Sequence, residues 1–382
     1  MNVIFTCGGT AGHVNPALAL AGLMCSRDPS VHILFVGSAR GMEGQLIEKA
    51  GYAFRAIEID NFRRSVSPAA IRHNLHTARL VVKTPKEAKK VLAEFQPDLI
   101  VGTGGYASYP MVKYGAKAGV PTAVHESNMV PGLTTKTLEP LVQKVMVGFE
   151  ACRQYYAHPD KVVVTGTPVR GDFFRMTREQ AREKLGYEKD KPLVVSFWGS
   201  LGASHMNEQM VDFIRAETAA GCPFYHVHAV GSSGYPGMMQ ALSNAGVHLK
   251  DTGVDVREYI YDMPAVMRAA DLVISRGGAS TISELTALGM PSIIVPSPYV
   301  VNNHQEKNAR VLEEAGGIRL ILEAESSGEK LYDAAMDILG DSEKRARMHK
   351  AMLSLGVPNA TERIYQTVMA LVAGKDEKDE SK

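Results

Sequence analysis

The chain has almost no net charge: 42 Lys and Arg stand against 41 Asp and Glu in 382 residues. So even a balance excludes a whole-protein electrostatic binder of nucleic acid, and none is expected as a partner. Cysteine is scarce. Cys7, Cys25, Cys152 and Cys222 stand alone, with no C-x-x-C pair. That argues for structural thiols in a reducing compartment and against a zinc site. No apolar run reaches the ~18 residues that would span a bilayer as a helix. The start, MNVIFTCGGT, lacks a basic segment before its apolar run, so no secretory signal is expected and the location reads as cytoplasmic. D-x-D is absent and the histidines lack metal-site spacing, so no metal and no cofactor is expected.

What is present is an alternation. Short apolar runs read as strands at Val3–Cys7, Val31–Gly37, Leu99–Gly102, Thr122–His125, Val145–Val147, Val162–Thr165, Leu193–Trp198, Tyr225–Val230, Leu272–Ser275 and Ser292–Pro296. Several are apolar throughout, as strands covered on both faces must be. Amphipathic stretches such as Pro16–Ser26, Ser67–Phe95, Asn207–Thr218, Met263–Ala270 and Thr281–Leu288 lie between them. Such βαβ alternation predicts α/β domains with parallel sheets. A length of 382 residues fits two of them. The pattern also repeats: strand 3–7 ends in Gly8-Gly9-Thr10-Ala11-Gly12-His13, and strand 193–198 ends in Gly199-Ser200-Leu201-Gly202-Ala203. Each is a glycine- and hydroxyl-rich turn opening a helix, which predicts two Rossmann-like domains. Glycine and proline at Thr165–Arg170 mark the break between them. The charged end, Lys375–Lys382, reads as disordered.

The sharpest local feature is Ser275–Glu284, SRGGASTISE, which follows a strand and opens a helix. Gly277 and Gly278 allow close backbone approach. Ala279, Ser280 and Thr281 then present amides and hydroxyls at a helix N-terminus, where free N–H groups and the dipole favour an anion. Glu284, one turn in, suits a pair of ribose hydroxyls. The competing reading is a plain helix start, with Ser280 or Thr281 as N-cap and Glu284 closing a capping box.

Gly8–His13 is neither G-x-G-x-x-G nor a Walker loop, and Phe35-Val36-Gly37-Ser38 carries no acid where a dinucleotide fold needs one. A nicotinamide dehydrogenase is therefore disfavoured. His13 is the proton-transfer candidate of this loop, since imidazole titrates near neutrality. Two polar clusters complete the set: His125-Glu126-Ser127-Asn128, and Asn302-Asn303-His304-Gln305. Each offers amides for sugar hydroxyls, or else a turn and an N-cap.

Taken in order, GGTAGHVNPALA, GTGGYASYP, HESNMVPG, TGTPVR, WGSLGA, SRGGASTISE and NNHQEKNA make the chain resemble the MurG family. These are GT-B-fold transferases that add N-acetylglucosamine to the undecaprenyl-pyrophosphoryl-MurNAc-pentapeptide lipid. The likeness runs from Gly8 to about Leu371. It implies two Rossmann-like domains with parallel sheets facing across a cleft: an acceptor and membrane-facing domain 1–166, a UDP-GlcNAc domain 167–356, a helix 357–374 packing back on the first domain, and a tail 375–382. It implies inverting transfer from UDP-GlcNAc to the C4 hydroxyl of the lipid-linked sugar, the step from lipid I to lipid II in peptidoglycan synthesis. Residue by residue, Thr10, Ala11, Gly12 and His13 inherit the first glycine loop, with His13 as base and Glu126 in reserve. Asn128 faces the donor sugar. Arg170 lies at the hinge and Ser200 in the second glycine loop. Ile260 offers its backbone to uracil, Ala279 through Glu284 take phosphate and ribose, and His304 and Gln305 take sugar hydroxyls. Departures fall at Ala11, Ser127, Thr167, Trp198 and Leu201.

A lipid-linked acceptor implies a peripheral place on the cytoplasmic face of the membrane, with other cell-wall synthesis proteins as further partners. Residues 63–90 fit an anionic surface: eight Lys or Arg (63, 64, 72, 79, 83, 86, 89, 90) and one acid, Glu87, interleave with Ile71, Leu75, Leu80, Val81 and Val82, although on the residues alone a solvated helix with its apolar stripe in the core is the favoured reading. Two rivals remain, a UDP-GlcNAc 2-epimerase of like architecture and a non-catalytic binder of nucleotide sugars.

Overall fold

A computed structural model describes residues 1–39, 41, 43–60, 67–199, 202–231, 234–250 and 252–380. The chain divides into two compact units, Met1–Val169 with Val357–Lys382, and Arg170–Gly356.

The first unit runs β1 (Asn2–Thr6), α1 (Ala11–Arg27), β2 (His32–Ser38), α2 (Glu43–Lys49), β3 (Ala53–Ile57), α3 (Pro68–Phe95), β4 (Leu99–Gly102), α4 (Ser108–Lys117), β5 (Thr122–Glu126), α5 (Leu133–Leu138), β6 (Lys144–Val147) and β7 (Val162–Val164). Its strands form one parallel sheet in the order β3-β2-β1-β4-β5-β6-β7. Phe5 pairs in register with Phe35 of β2 and Val101 of β4. Alternate residues of β1 enter opposite cores. Val3 and Phe5 pack with α1 and with Ile364 and Val368, whereas Ile4 packs with Val36, Ile100 and Val112. Burial on both faces explains the continuous apolar runs.

The second unit holds α6 (Arg178–Leu185), β8 (Leu193–Phe197), α7 (Ser204–Ala219), β9 (Tyr225–Ala229), α8 (Tyr235–Asn244), β10 (Val254–Arg257), α9 (Met263–Ala269), β11 (Leu272–Ser275), α10 (Ala279–Leu288), β12 (Ser292–Ile294), α11 (His304–Glu314), β13 (Ile318–Leu320), α12 (Gly328–Leu339) and α13 (Ser342–Leu355). Its sheet is also parallel, ordered β10-β9-β8-β11-β12-β13. Local rules hold at the helix ends: Thr177 and Gln180 form a reciprocal capping box on α6, and Ser327 caps α12.

In both sheets the strand order reverses at one place, β1 beside β4 and β8 beside β11. The crevice at the carboxyl ends of such a pair is where open α/β sheets bind ligands. The turns after β1 and β4, and those after β8 and β11, therefore define where to look.

The first unit extends through Val169, three residues beyond Gly166 and inside the Thr165–Arg170 stretch that the sequence marks as the break. The amides of Thr165 and Gly166 both donate to the Val147 carbonyl at 3.1 Å, and the Gly166 carbonyl accepts from His125 at 2.9 Å, which ties the chain to the first unit up to Gly166. The last helix, α14 (Ala360–Glu380), continues through most of the tail expected to be disordered. Extending a formed helix adds one hydrogen bond per residue fixed, so charged helix formers can follow on. Strands β3, β10 and β13 were not read from the sequence at all.

Candidate functional site

In the second unit the chain leaves β11 at Ser275, turns through Arg276-Gly277-Gly278 and enters α10. Gly278, at φ −68° and ψ 139°, is the N-cap, and no side chain caps the helix. The capping box weighed in the sequence is therefore not formed. Ala279, Ser280 and Thr281 are the first three helical residues, and their amides are among those a helix cannot satisfy internally. This is a place for an anion.

Gly277 has a separate task. A Cβ there would stand 2.5 Å from the Gln305 carbonyl, so its absence lets the start of α11 close onto this turn. Asn308 Nδ2 donates to the Gly277 carbonyl at 3.3 Å and ties the two elements. Gln305 Oε1 accepts from the Ser297 amide at 2.9 Å, which commits its oxygen to this turn. His304 is the first residue of α11, and Asn303 before it caps the helix in a left-handed conformation without a side-chain cap bond.

Glu284 lies one turn into α10. Burial pushes its carboxyl up to about 7, and the Arg170 guanidinium works in the opposite sense. The structure thus brings Arg170 into electrostatic reach of Glu284, while Arg170 also rests over the Phe173 ring at 5.6 Å. Ile260 is buried between exposed Tyr259 and Tyr261, whose rings lie 5.0 Å apart. Ser200 and Leu201 lie outside the described residues.

Beside this turn is a cavity of about 560 Å³, lined by Trp198, His205, Arg276, Ser297, Gln305 and Glu323 among others. Arg276 pairs with buried Glu323 at 2.6 Å and lies over the Trp198 ring at 5.7 Å. The Trp198 indole N–H is buried without a partner. Arg276 and Glu323 carried no assigned role in the sequence, although Arg276 stands inside the SRGGASTISE motif.

In the first unit, Thr10 is the N-cap of α1, and Ala11 and Gly12 are its first residues. His13 Nδ1 lies 2.8 Å from the Gly8 carbonyl and 3.3 Å from Thr10 Oγ1. A carbonyl only accepts, so Nδ1 carries a proton, and in the neutral ring Nε2 keeps its lone pair. Thr103, after β4, donates to the His13 carbonyl at 2.6 Å.

Glu126 is buried and fully engaged. Oε1 accepts from the Asn128 amide at 3.0 Å and from Asn128 Nδ2 at 2.9 Å; Oε2 accepts from the Gly132 amide at 2.9 Å and from Thr135 Oγ1 at 2.8 Å. Four donors fix the loop that presents Asn128. They also occupy the lone pairs a general base would need. His125 donates Nε2–H to the Gly166 carbonyl at 2.9 Å, and burial holds its ring below the usual histidine range. Missing from the sequence reading was Glu43, a fully buried carboxylate beneath the first glycine turn.

The basic segment is only partly as expected. On α3, Ile71 and Leu75 are 58% and 61% exposed, and Arg72, Arg79, Lys83, Lys86, Lys89 and Lys90 are exposed. Leu80 instead belongs to the interior. It faces the same side as buried Thr77, Thr84 and Ala88, the stripe that seats the helix. Arg63, Arg64 and the side chains of Val81 and Val82 lie outside what is described. Among the described residues, no helix is long and apolar enough to cross a membrane, and no three His, Cys, Asp or Glu are grouped to hold a metal ion.

The N-terminal domain of glycosyltransferase family 28 matches residues 3–147, and the C-terminal domain of that family matches residues 193–364. A UDP-N-acetylglucosamine–N-acetylmuramyl-(pentapeptide) pyrophosphoryl-undecaprenol N-acetylglucosamine transferase from Acetivibrio thermocellus is 40% identical over 98% of this chain and 99% of its own. One of the same name from a Thermoanaerobacter species is 37% identical over 97% of this chain and all of its own. The crystal structure of MurG from Acinetobacter baumannii superposes with a TM-score of 0.77 at 24% identity, over 97% of this chain and 99% of that one, which shows the GT-B fold. With both family domains present in order and full-length relatives at this identity, the chain belongs to glycosyltransferase family 28 and, within it, to the MurG family.

Proposed function

We propose that the protein transfers N-acetylglucosamine from UDP-GlcNAc to the C4 hydroxyl of an undecaprenyl-pyrophosphoryl-linked MurNAc-pentapeptide, with inversion at the anomeric carbon. The observation that carries this reading is the uncapped N-terminus of α10. Two glycines precede it, three free amides open it, and Glu284 follows one turn later. That is the donor set a sugar diphosphate and its ribose require. The names carried by full-length relatives supply the acceptor.

In this reading the amides of Ala279, Ser280 and Thr281 hold the diphosphate, with Arg170 adding charge as UDP departs. Glu284 takes the ribose, and the Ile260 backbone takes uracil. Gln305, His304 and Asn128 take the sugar hydroxyls, Thr10, Ala11 and Gly12 contact the donor, and the family resemblance adds Ser200 as a donor contact. His13 Nε2 accepts the proton of the attacking hydroxyl. Glu126, with four donors already bound, orients Asn128 rather than moving a proton. Exposed Ile71 and Leu75 on a basic helix suit an anionic bilayer surface, which gives the enzyme a peripheral place on the cytoplasmic membrane face.

The test is turnover. UDP-GlcNAc with a lipid-linked MurNAc acceptor should release UDP and give the disaccharide lipid. Conversion of UDP-GlcNAc to its C2 epimer without acceptor would instead establish the epimerase. Tight UDP binding with neither product would establish a binding protein.

A further inference from the structure

We propose that Glu43 is a positioning residue for His13, acting through the single peptide group that joins Gly8 to Gly9. His13 Nδ1–H donates to the Gly8 carbonyl at 2.8 Å. The N–H of that same peptide, on Gly9, donates to Glu43 Oε2 at 3.4 Å. Carboxylate, amide and imidazole are thus linked in series, each donor aimed at the next acceptor. Hydrogen bonds in such a chain polarise one another, and the effect grows where water is excluded. The arrangement has the logic of a carboxylate–histidine pair with a peptide group inserted: it fixes the tautomer and orients the ring.

The site is built around this carboxylate. Glu43 is fully buried. Its second oxygen accepts from the Ser38 amide at 2.8 Å. Glycines from three segments make room for it. A Cβ on Gly8 would lie 2.9 Å from Oε1, one on Gly37 2.8 Å from Cγ, and one on Gly41 1.9 Å from Oε2. Its charge is felt nearby, since the Cys7 thiol is pushed up to about 12 by burial and, secondarily, by Glu43. His125 on β5 lies within electrostatic reach of His13, and Cys7, just after β1, within that of Glu43. Glu126 follows on β5 with its oxygens committed to Asn128, Gly132 and Thr135.

This inference rests on His13 as the base, and the experiment separates the two ideas. The imidazole of His13 is titrated by NMR in the wild type, in Glu43→Gln and in Glu43→Asp, and kcat and KM for UDP-GlcNAc are followed against pH. Glu43→Gln, of the same shape without charge, should move the His13 titration to lower pH. It should also cut kcat about tenfold, move the acid limb to lower pH and leave KM unchanged. Glu43→Asp, charged but shorter, should fall between and serves if the Gln variant does not fold. An unchanged His13 titration in a folded variant overturns the link. Full turnover by His13→Ala overturns the base assignment alone, because the titration of His13 in the wild type and Glu43 variants still reads the link.

Discussion

A Cβ on Gly104 would stand 2.7 Å from Cδ2 of His13 and 3.1 Å from Nε2. The imidazole lies directly on the Gly104 backbone, which holds φ at +107°. Two residues distant in sequence, after β1 and after β4, share one small space at the sheet's reversal. Gly104→Ala should therefore do two things. The positive φ should lower stability by about 1 kcal/mol, a few degrees of melting temperature. The added methyl should turn the ring and lower kcat about tenfold or more, with little change in KM for UDP-GlcNAc. A variant with wild-type kcat would mean the ring's position is not critical.

The phosphate assignment can be tested by removing one N–H. Ala279 is the first residue of α10 and follows Gly278 at ψ 139°, a setting in which proline is well tolerated. Ala279→Pro should keep the fold and lose one charge-assisted bond, weakening UDP-GlcNAc binding about ten- to a hundredfold. Calorimetry showing unchanged affinity would rule that amide out.

Glu284 supplies a pH test. Its folded-state pKa of about 7 lies above the ordinary 4.5, so the folded protein holds that proton more tightly than the unfolded chain. The linked stability is full below about pH 4.5 and is lost as pH rises through 7. Glu284→Gln removes the titration. Relative to wild type, its melting temperature should rise between pH 5 and pH 8 by a few degrees. Wild-type affinity for UDP-GlcNAc should tighten over pH 6 to 8 as the carboxylate forms, and the variant should bind weakly and without that slope. A parallel pH profile in both proteins would contradict the assignment.

Much of this was legible in the sequence, and the gaps have a common cause. The central strands β1, β4, β8 and β11 announced themselves because both faces are buried. The three missed strands, β3, β10 and β13, are all sheet edges. Ala53–Ile57 and Val254–Arg257 carry charged residues along a half-exposed strand, and Ile318–Leu320 is only three residues long, so none presents an apolar run. The anion turn was visible through its glycines. Glu43 was not: a lone acid in RGMEGQ looks like surface, and only the folded glycines around it reveal burial.

The membrane-facing proposal predicts a salt-sensitive interaction. Lys83, Lys86, Lys89 and Lys90 are exposed along α3. At ~1 kcal/mol for each basic residue near an anionic surface, reversing all four to Glu should weaken binding to anionic vesicles by at least a hundredfold. Turnover with a short-chain soluble acceptor should be retained. Undiminished vesicle sedimentation would send the search to another surface.

The return of the chain to its first unit after Gly356 sets an order of events during synthesis. Ile364 and Val368 complete the core against α1, yet they are made only after the whole second unit. At roughly 5–20 residues per second, tens of seconds pass while the whole second unit is translated. Throughout that interval the nascent first unit keeps an unfilled apolar seam. A ribosome stalled before Val357 would release a chain with that seam open, a natural substrate for chaperones and proteases.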